Sequence, residues 1–467
     1  METRGRTRVK EGQARLLEEL RSSLCGAVID RAHPAYDEVR AVWNGLIDRR
    51  PSAIAQCANS ADVMEALRVA RVYRPVVSIR GGGHQVAGSG VCDDGLVIDV
   101  SSMREVVVDP EARTARVGAG ARWADVDHAT QAFGLATPGG QVSVTGVAGL
   151  TLGGGIGSTM RAYGLSCDNL RSLEIVTADG TLRTASRNQH PDLFWALRGG
   201  GRGFGVVTSF EFDLHPLGPE VANALVLYPY EDAESVLRAW RDYASEAPDE
   251  VTPQIGLWSI PPLPEVPEEL HWAPVGIAVG LYAGPPDEAD PALAPLRQLG
   301  TPLADMTATT PYVETQSDMD ELFPAGGRYW WKSHFLDELS DGAIATMVER
   351  DGGRPTPQSL IFIRTLGGAI ARVADDETAY AHRSAGFNLS VDALWAEEAL
   401  DEHAIAWARS TWEALRPYST GGVYLNFAGL GEDDARSAAL GTHEERLDQV
   451  RRAYDPDGLL AAAAHQP

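Results

Sequence analysis

Arg80-Gly81-Gly82-Gly83-His84 follows the apolar run Pro75-Val76-Val77-Ser78-Ile79, which reads as a buried strand. Three consecutive glycines give the backbone wide φ/ψ freedom and leave its N–H groups unshielded. Successive amides of this kind form a concave nest for an anion such as phosphate. Arg80 adds a planar, permanently charged fork suited to pyrophosphate. His84 then leaves the loop where a phosphate-bearing group would continue, and an imidazole there is placed to bond to it. Taken alone, the five residues read equally as a Gly-rich turn with an exposed histidine. The neighbouring segments decide between the two.

The chain has 467 residues, too many for one ordinary core, so two domains or one large composite are expected. A hydrophobic content of 44% with 22% charged residues is that of a globular protein. The net charge of −25 repels nucleic acid and anionic membrane, and no basic stripe reverses it. Cys25, Cys57, Cys92 and Cys167 are scattered without a C-x-x-C pair, so neither a metal site nor a disulfide framework is expected. The first residues show no apolar signal region and no run reaches transmembrane length, so the expected location is the cytoplasm.

Residues 10–25 and 61–73 carry helical spacing, and Trp123–Phe133 reads as a helix. Short strand-like runs lie at Leu96–Val100, Val106–Val108, Thr114–Val117, Leu173–Thr177, Leu182–Thr184 and Val206–Leu214, with Asp179-Gly180 as a hairpin turn. The texture changes after Gly218, where prolines crowd 248–267 and 285–302. Strands of a second sheet are expected at Gln254–Ile260, Val275–Leu281, Tyr329–Leu336 and Ser359–Thr365. Helices are expected at Ala233–Ala244, Asp341–Arg350 and Asp401–Leu415, and a further one at Leu447–Tyr454.

Two more glycine-rich blocks follow the first: Gly146 to Gly157, and Arg198-Gly199-Gly200-Gly201-Arg202-Gly203-Phe204-Gly205. Each contains a spacing that resembles a dinucleotide fingerprint. That fingerprint belongs between the first strand and first helix of a βαβ unit, with an acid about 20 residues on, and here the context is wrong. Any one block reads as tight turns. Three together require backbone to approach something large and flat.

The string RGGGHQVAGSGVCDDGLVIDVSSM at 80–103 resembles the histidyl attachment loop of the berberine bridge enzyme-like (BBE-like) FAD-linked oxidases, in the vanillyl-alcohol oxidase superfamily. The likeness continues through ATPGGQVSVTGVAGLTLGGGIGSTMRAYGLSCDNL, EIVTADG, DLFWALRGGGRGFGVVTSFEF, VYLNF and ERLDQVRRAYDP, from about residue 40 to 458. The bacterial branch, with its tailoring enzymes of secondary metabolism, is the nearest in pattern. The resemblance implies an α+β, bipartite PCMH-type FAD-binding domain, from residues 1–217 and a returning segment 419–467. Residues 218–418 would form a substrate domain, an antiparallel sheet covered by helices, roofing the flavin.

By the same resemblance, Arg80, Gly81, Gly82, Gly83, His84, Gln85 and Gly88 match the pyrophosphate loop, His84 being the residue joined covalently to the flavin. Thr145, Gly146, Gly149, Gly153 and Gly157 match positions lining the flavin, Val206 and Val207 a strand beside the adenine, and Tyr424 and Asn426 the family's Tyr-x-Asn. Bicovalent members carry a cysteine where this chain has Val142, so a single link is expected. Tyrosines common in the family at the positions of Val86 and Ile156 are absent, Gly203 stands where Asn is common, and Leu460-Ala461-Ala462-Ala463-Ala464 replaces a terminal Asn-Gln-x-Ile. Thr145 leaves room for dioxygen where a leucine would close the approach.

Strand alternation puts Trp330, Lys332 and His334 on one face, and Phe362 and Arg364 on one face of another strand. If these faces look at the flavin, the pocket mixes aromatic walls with cations. Tyr424 is then the candidate general base, with Lys332 or His334 behind it. The expected activity is oxidation of an aromatic or polyketide-like secondary metabolite, by hydride transfer to FAD and reoxidation by dioxygen to hydrogen peroxide. A monooxygenase, a cyclase that uses FAD structurally and a non-catalytic carrier stand as alternatives; the oligomeric state is open.

Overall fold

The computed structural model describes residues 2–262, 266–428 and 435–460, with side chains for 12–262, 266–428 and 436–460. Residues 461–464, on which the altered C-terminal motif falls, lie outside the described residues. The strand before the glycine loop is Val77–Arg80. It edges a four-stranded sheet in the order Val28–Asp30, Ala53–Gln56, Leu96–Asp99, Val77–Arg80. The last three run parallel, and the helix Ser60–Tyr73 makes the crossover that parallel strands require. Asn59 starts that helix by accepting the Asp62 N–H with its side chain.

Register places Arg80 opposite Asp99, and the two close an ion pair of 2.6 Å, with side chains 7% and 1% exposed. This changes the expected role of Arg80. One arm of its guanidinium is already engaged by Asp99, and the Nη1 arm, buried and without a partner among the described residues, is left for a ligand.

A second, antiparallel sheet follows in the order Val106–Asp109, Thr114–Gly118, Val206–Asp213, Leu170–Val176, Leu182–Ser186. Gly180, at φ +80°, turns the last hairpin. The first core joins both sheets, drawing on residues from Leu16 to Leu214 and on Leu440, Leu447, Val450, Leu459 and Leu460 near the far end of the chain. The helix Glu444–Tyr454 packs on Pro191–Ala196, with the Arg446 guanidinium 3.7 Å from the Trp195 ring.

From Glu220 onward the chain builds an eight-stranded antiparallel sheet. Its central path runs Glu220–Pro229, Pro274–Tyr282, Val251–Ser259, Leu360–Thr365, Phe387–Trp395, Arg328–Leu336. One face packs under the helices Ala233–Glu246, Asp341–Asp351 and Asp401–Leu415, burying Trp240, Trp330, Leu389, Val391 and Trp395. The other face turns toward the glycine-rich segments. Residues 366–383, within the span expected to belong wholly to the sheet layer, cross to the first core: Ala379 N–H donates to Trp195 O, and Arg383 pairs with Asp168 at 2.6 Å. No helix of the described residues is long and apolar enough to cross a membrane.

The glycine blocks are pinned to one another by backbone alone. A Cβ on Gly82 would lie 2.5 Å from Gly146 Cα, and one on Gly146 would lie 2.6 Å from Gly82 N. Leu152 O accepts the N–H groups of Gly199 and Gly201, at 3.1 and 2.9 Å, strapping the third block to the second. Gly146 has an ordinary φ of −70°, so its need for glycine is steric. Gly146→Ala is therefore expected to cost about 1–3 kcal/mol through overpacking, read as a lower urea midpoint with unchanged slope.

Candidate active site

The three blocks and the open face of the large sheet enclose a cavity of about 1000 Å³. Arg80 to Gln85, Thr145, Gly146, Gly149, Gly153, Val207, Tyr424 and Asn426 all line it. Gly88, Gly157 and Val206 do not. Gly88 (φ +69°) turns against Ile47, a Cβ on Gly157 would strike Gly139 O at 1.9 Å, and Val206 points into the first core. These three were expected beside the cofactor, and their roles are turn geometry and packing.

Lys332 and His334 require the larger correction. Their strand alternates as expected, but the face they share looks the other way. Lys332 Nζ sits 4.1 Å from the Trp412 ring, and His334 stacks on the same ring at 4.7 Å with its Nε2 2.9 Å from Trp412 O. Both are buried under the helix Asp401–Leu415, where desolvation lowers the His334 imidazole to about 4. Trp331 holds the cavity side of that strand. Phe362 and Arg364 do face the cavity.

Tyr424 Oη receives three hydrogen bonds: from Gly155 N and Ile156 N at 3.1 Å each, and from Asn426 Nδ2 at 2.8 Å. Gly154 and Gly155 sit at φ +118° and +94°, a conformation that turns these amides onto one point and that L side chains rarely adopt. Gly153 lets Asn426 in, since a Cβ there would lie 2.1 Å from Asn426 Oδ1. The tyrosine backbone is held in turn by Ser333 Oγ, which accepts its N–H at 2.9 Å. A neutral phenol oxygen has two lone pairs, so three donors match a phenolate better than a phenol. Burial pushes the phenol above its ordinary value, and the three donors oppose that rise.

His84 stacks on Trp43 with ring centroids 4.1 Å apart and planes 17° from parallel; Trp43 stacks on Tyr329 at 3.7 Å. Burial lowers the His84 imidazole to about 4, so the ring is neutral at physiological pH, and its buried Nε2 has no partner among the described residues. Asn44 rivets the layers together: its Nδ2 donates to Val86 O and Tyr329 O, and its Oδ1 accepts Tyr329 N–H. Trp43 and Asn44 lie outside the motifs read from the sequence. Their segment has no periodicity, and their partners are about 40 and 285 residues away.

A polar cluster forms the floor beside Tyr424. Arg364 Nε donates to Gln141 Oε1 at 2.7 Å and Nη1 to Ser390 Oγ at 3.0 Å; Ser390 in turn donates to Asp392 Oδ2 at 2.8 Å. Gln141 also bonds Gln254. The Arg364 guanidinium lies between the rings of Phe362 and Phe427, 4.9 and 5.0 Å away. Among the described residues no cluster of His, Cys, Asp and Glu is arranged to hold a metal, and no cysteine lines the cavity.

Residues 51–186 match the FAD binding domain family. The chain is 33% identical over 449 residues to the uncharacterized FAD-linked oxidoreductase YgaK of Bacillus subtilis, covering 94% of this chain and 96% of that one. Among solved structures, 6-hydroxy-D-nicotine oxidase of Arthrobacter nicotinovorans superposes with a TM-score of 0.84 at 26% identity, covering 94% of this chain and 96% of the other. BBE-like 1 of Physcomitrella patens superposes with a TM-score of 0.86 at 22% identity over 97% and 99%.

Removing the Trp43 ring takes away the stack that orients His84. Trp43→Ala is expected to lose bound flavin on gel filtration, seen as a fall in the 450 nm to 280 nm absorbance ratio, whereas Trp43→Phe retains most of it.

Proposed function

This chain belongs to the FAD-linked oxidoreductases of the BBE-like, PCMH-type FAD-binding family, and on that premise we propose that it is an oxidase of an aromatic or polyketide-like secondary metabolite, yielding hydrogen peroxide. Residues 1–217 with 419–467 serve as the cofactor domain and 218–418 as the substrate domain. The four cysteines, all free thiols, support a reducing compartment, the cytoplasm.

The residues present fit FAD. The glycine backbones, crossed with no room for a Cβ between them, line the cavity with bare main chain; the Nη1 of Arg80, without a partner among the described residues, awaits an anionic oxygen; and the Nε2 of a neutral His84, likewise without one, retains a nucleophilic lone pair. Arg80 to Gln85, Thr145, Gly146, Gly149, Gly153 and Val207 would hold the cofactor, with His84 as its single covalent attachment. Val142, where a second link would need a thiol, supports the single link. Bound FAD supplies a two-electron acceptor that takes hydride from the substrate and passes the electrons to dioxygen.

The observation that carries the proposal is the triply bonded Tyr424 oxygen. Tyr424 accepts the substrate's proton as hydride leaves. The amides of Gly155 and Ile156 and the Asn426 side chain stabilise its charged form, as backbone donors do at other anionic oxygens. Thr145, small and cavity-lining, keeps an approach open for dioxygen. Val86 and Ile156 offer no proton to exchange, which leaves Tyr424 alone in the role.

Two measurements test the attachment and the base. Wild-type protein precipitated with acid should stay yellow while His84→Ala releases its flavin; free flavin from the wild type would refute covalent attachment. Tyr424→Phe should keep its flavin and lose about 10²–10⁴-fold in turnover. Because the base must be deprotonated and burial raises its pKa, wild-type kcat/KM should climb through the alkaline range, and this limb should vanish in Tyr424→Phe. One peroxide formed per dioxygen consumed distinguishes an oxidase from a monooxygenase.

A further inference from the structure

The sheet face of the cavity carries an ordered change in polarity. Cross-strand register aligns Arg364 with Gln254, Gln254 with Val279 and Val279 with Leu225, and Met306 N–H closes on Leu225 O at 2.8 Å. A neighbouring row aligns Phe362 with Gly256, Gly256 with Ile277 and Ile277 with Leu227. Apart from Gly256, all of these residues line the cavity. The rows run perpendicular to the strands. Along the first row the side chains are polar at Arg364 and Gln254 and apolar from Val279 through Leu225 to Met306; the neighbouring row is apolar throughout, and Asn223, on the same strand as Leu225, is a polar group at the edge of the apolar strip.

Strands lie about 4.8 Å apart, so the apolar strip from Val279 to Met306 is roughly 10 Å long, and the whole row from Arg364 to Met306 roughly 19 Å. Gly256, beside Gln254, makes room for the Phe362 ring; a Cβ there would lie 2.4 Å from it. The far end reaches solvent-exposed apolar residues: Met306 is 45% exposed and Leu303 is 56% exposed. At the near end, the Arg364 Nε and Nη1 are held in place, and Nη2 donates to none of the described residues. Phe427 links this end to the base, its ring 5.0 Å from both the Arg364 guanidinium and the Tyr424 ring.

We infer that the substrate is an acidic amphiphile. A carboxylate or phenolate oxygen sits on Arg364, the oxidised carbon lies near that end beside Tyr424, and an apolar body about 10 Å long runs across the sheet to Met306. This rests on the oxidoreductase reading above and adds the substrate's class and direction to it. Asp392, two hydrogen bonds from Arg364 through Ser390, does not forbid a second anion. Burial already raises it to about 6, and a carboxylate arriving nearby favours its neutral form.

The test uses flavin-loaded enzyme titrated with 4-methyl-, 4-butyl- and 4-octylbenzoate and the matching benzamides, following perturbation of the flavin visible spectrum. Each added methylene should tighten Kd by up to about fourfold, the equivalent of about 0.8 kcal/mol per buried CH2, and each benzoate should bind more tightly than its amide. Leu227→Asp should flatten the chain-length dependence and leave 4-methylbenzoate unaffected; Leu225→Ser, a milder change, should halve the slope or better. Arg364→Gln should erase the preference for acid over amide and keep the chain-length slope. Retained flavin colour shows that each variant is folded. A flat chain-length series in the wild type, an unchanged slope in both leucine variants, or equal binding of acid and amide would each overturn the inference. The readout is binding of probes that need not react, so it can fail while peroxide formation from the true substrate still supports the oxidase reading, and the two outcomes are distinguishable.

Discussion

The cavity depends on one steric fact: two backbones cross at Gly82 and Gly146 with no room for a side chain on either. That contact brings the first glycine loop, which ends a parallel strand, against the second, which begins the helix Val147–Leu152. The carbonyl at the end of that helix, Leu152 O, then holds Gly199 and Gly201. Three segments far apart in the chain, 80–84, 146–157 and 198–205, become one wall, made largely of main chain. A wall without side chains presents amides at close range to a flat, phosphate-bearing ligand, which suits FAD. It also explains why none of the blocks behaves as a nucleotide fingerprint: the glycines serve contact with one another as much as contact with a ligand.

The opposite wall follows from the two-faced character of an antiparallel sheet. Helices cover one face and bury its large apolar residues, and the other face is free to carry function. On that free face the polar residues are not scattered. Arg364, Ser390 and Asp392 form a bonded chain next to Tyr424, whereas the outer strands carry leucine, valine and isoleucine. Lys332 and the neutral His334 lie on the covered face against Trp412, where the ammonium's contact with the indole offsets part of its cost of burial. Their position keeps them out of the cavity, where Tyr424 is held by amides.

The two walls are joined where side chains from distant segments interleave. Trp43 sits between His84 of one wall and Tyr329 of the other, and Asn44 bonds the backbones of both. Tyr424 does the same at the other side of the cavity, with its ring against Phe427, its oxygen on Gly155 and Ile156, and its N–H on Ser333 of the sheet. The surroundings of His84 and Tyr424 therefore each bridge the layers, so the spacing between these two residues is set by the packing of the whole molecule.

The amino-acid sequence alone determined the local chemistry. The strand and loop around Arg80 to His84, the hairpin at Gly180, four strands of the large sheet and their alternation, and the ordered motifs from 80 to 456 were legible, because hydrophobic period, glycine runs and motif spacing are properties of neighbouring residues, whereas Glu220–Pro229 and Phe387–Trp395 of the same sheet were not read. Which face of an alternating strand looks inward was not legible. Period two assigns Trp330, Lys332 and His334 to one side but says nothing about where the helix bearing Trp412 will pack. Nor could spacing reveal that Asp99 takes half of Arg80, that Gly88 and Gly157 serve turns, that Trp43 orients His84, or that three donors converge on one phenol oxygen. Apart from the Asn426 bond to Tyr424, two residues away, these are contacts between residues from 18 to 269 positions apart. Only the closed tertiary structure brings such groups within the few ångströms over which hydrogen bonds, stacking and ion pairs act.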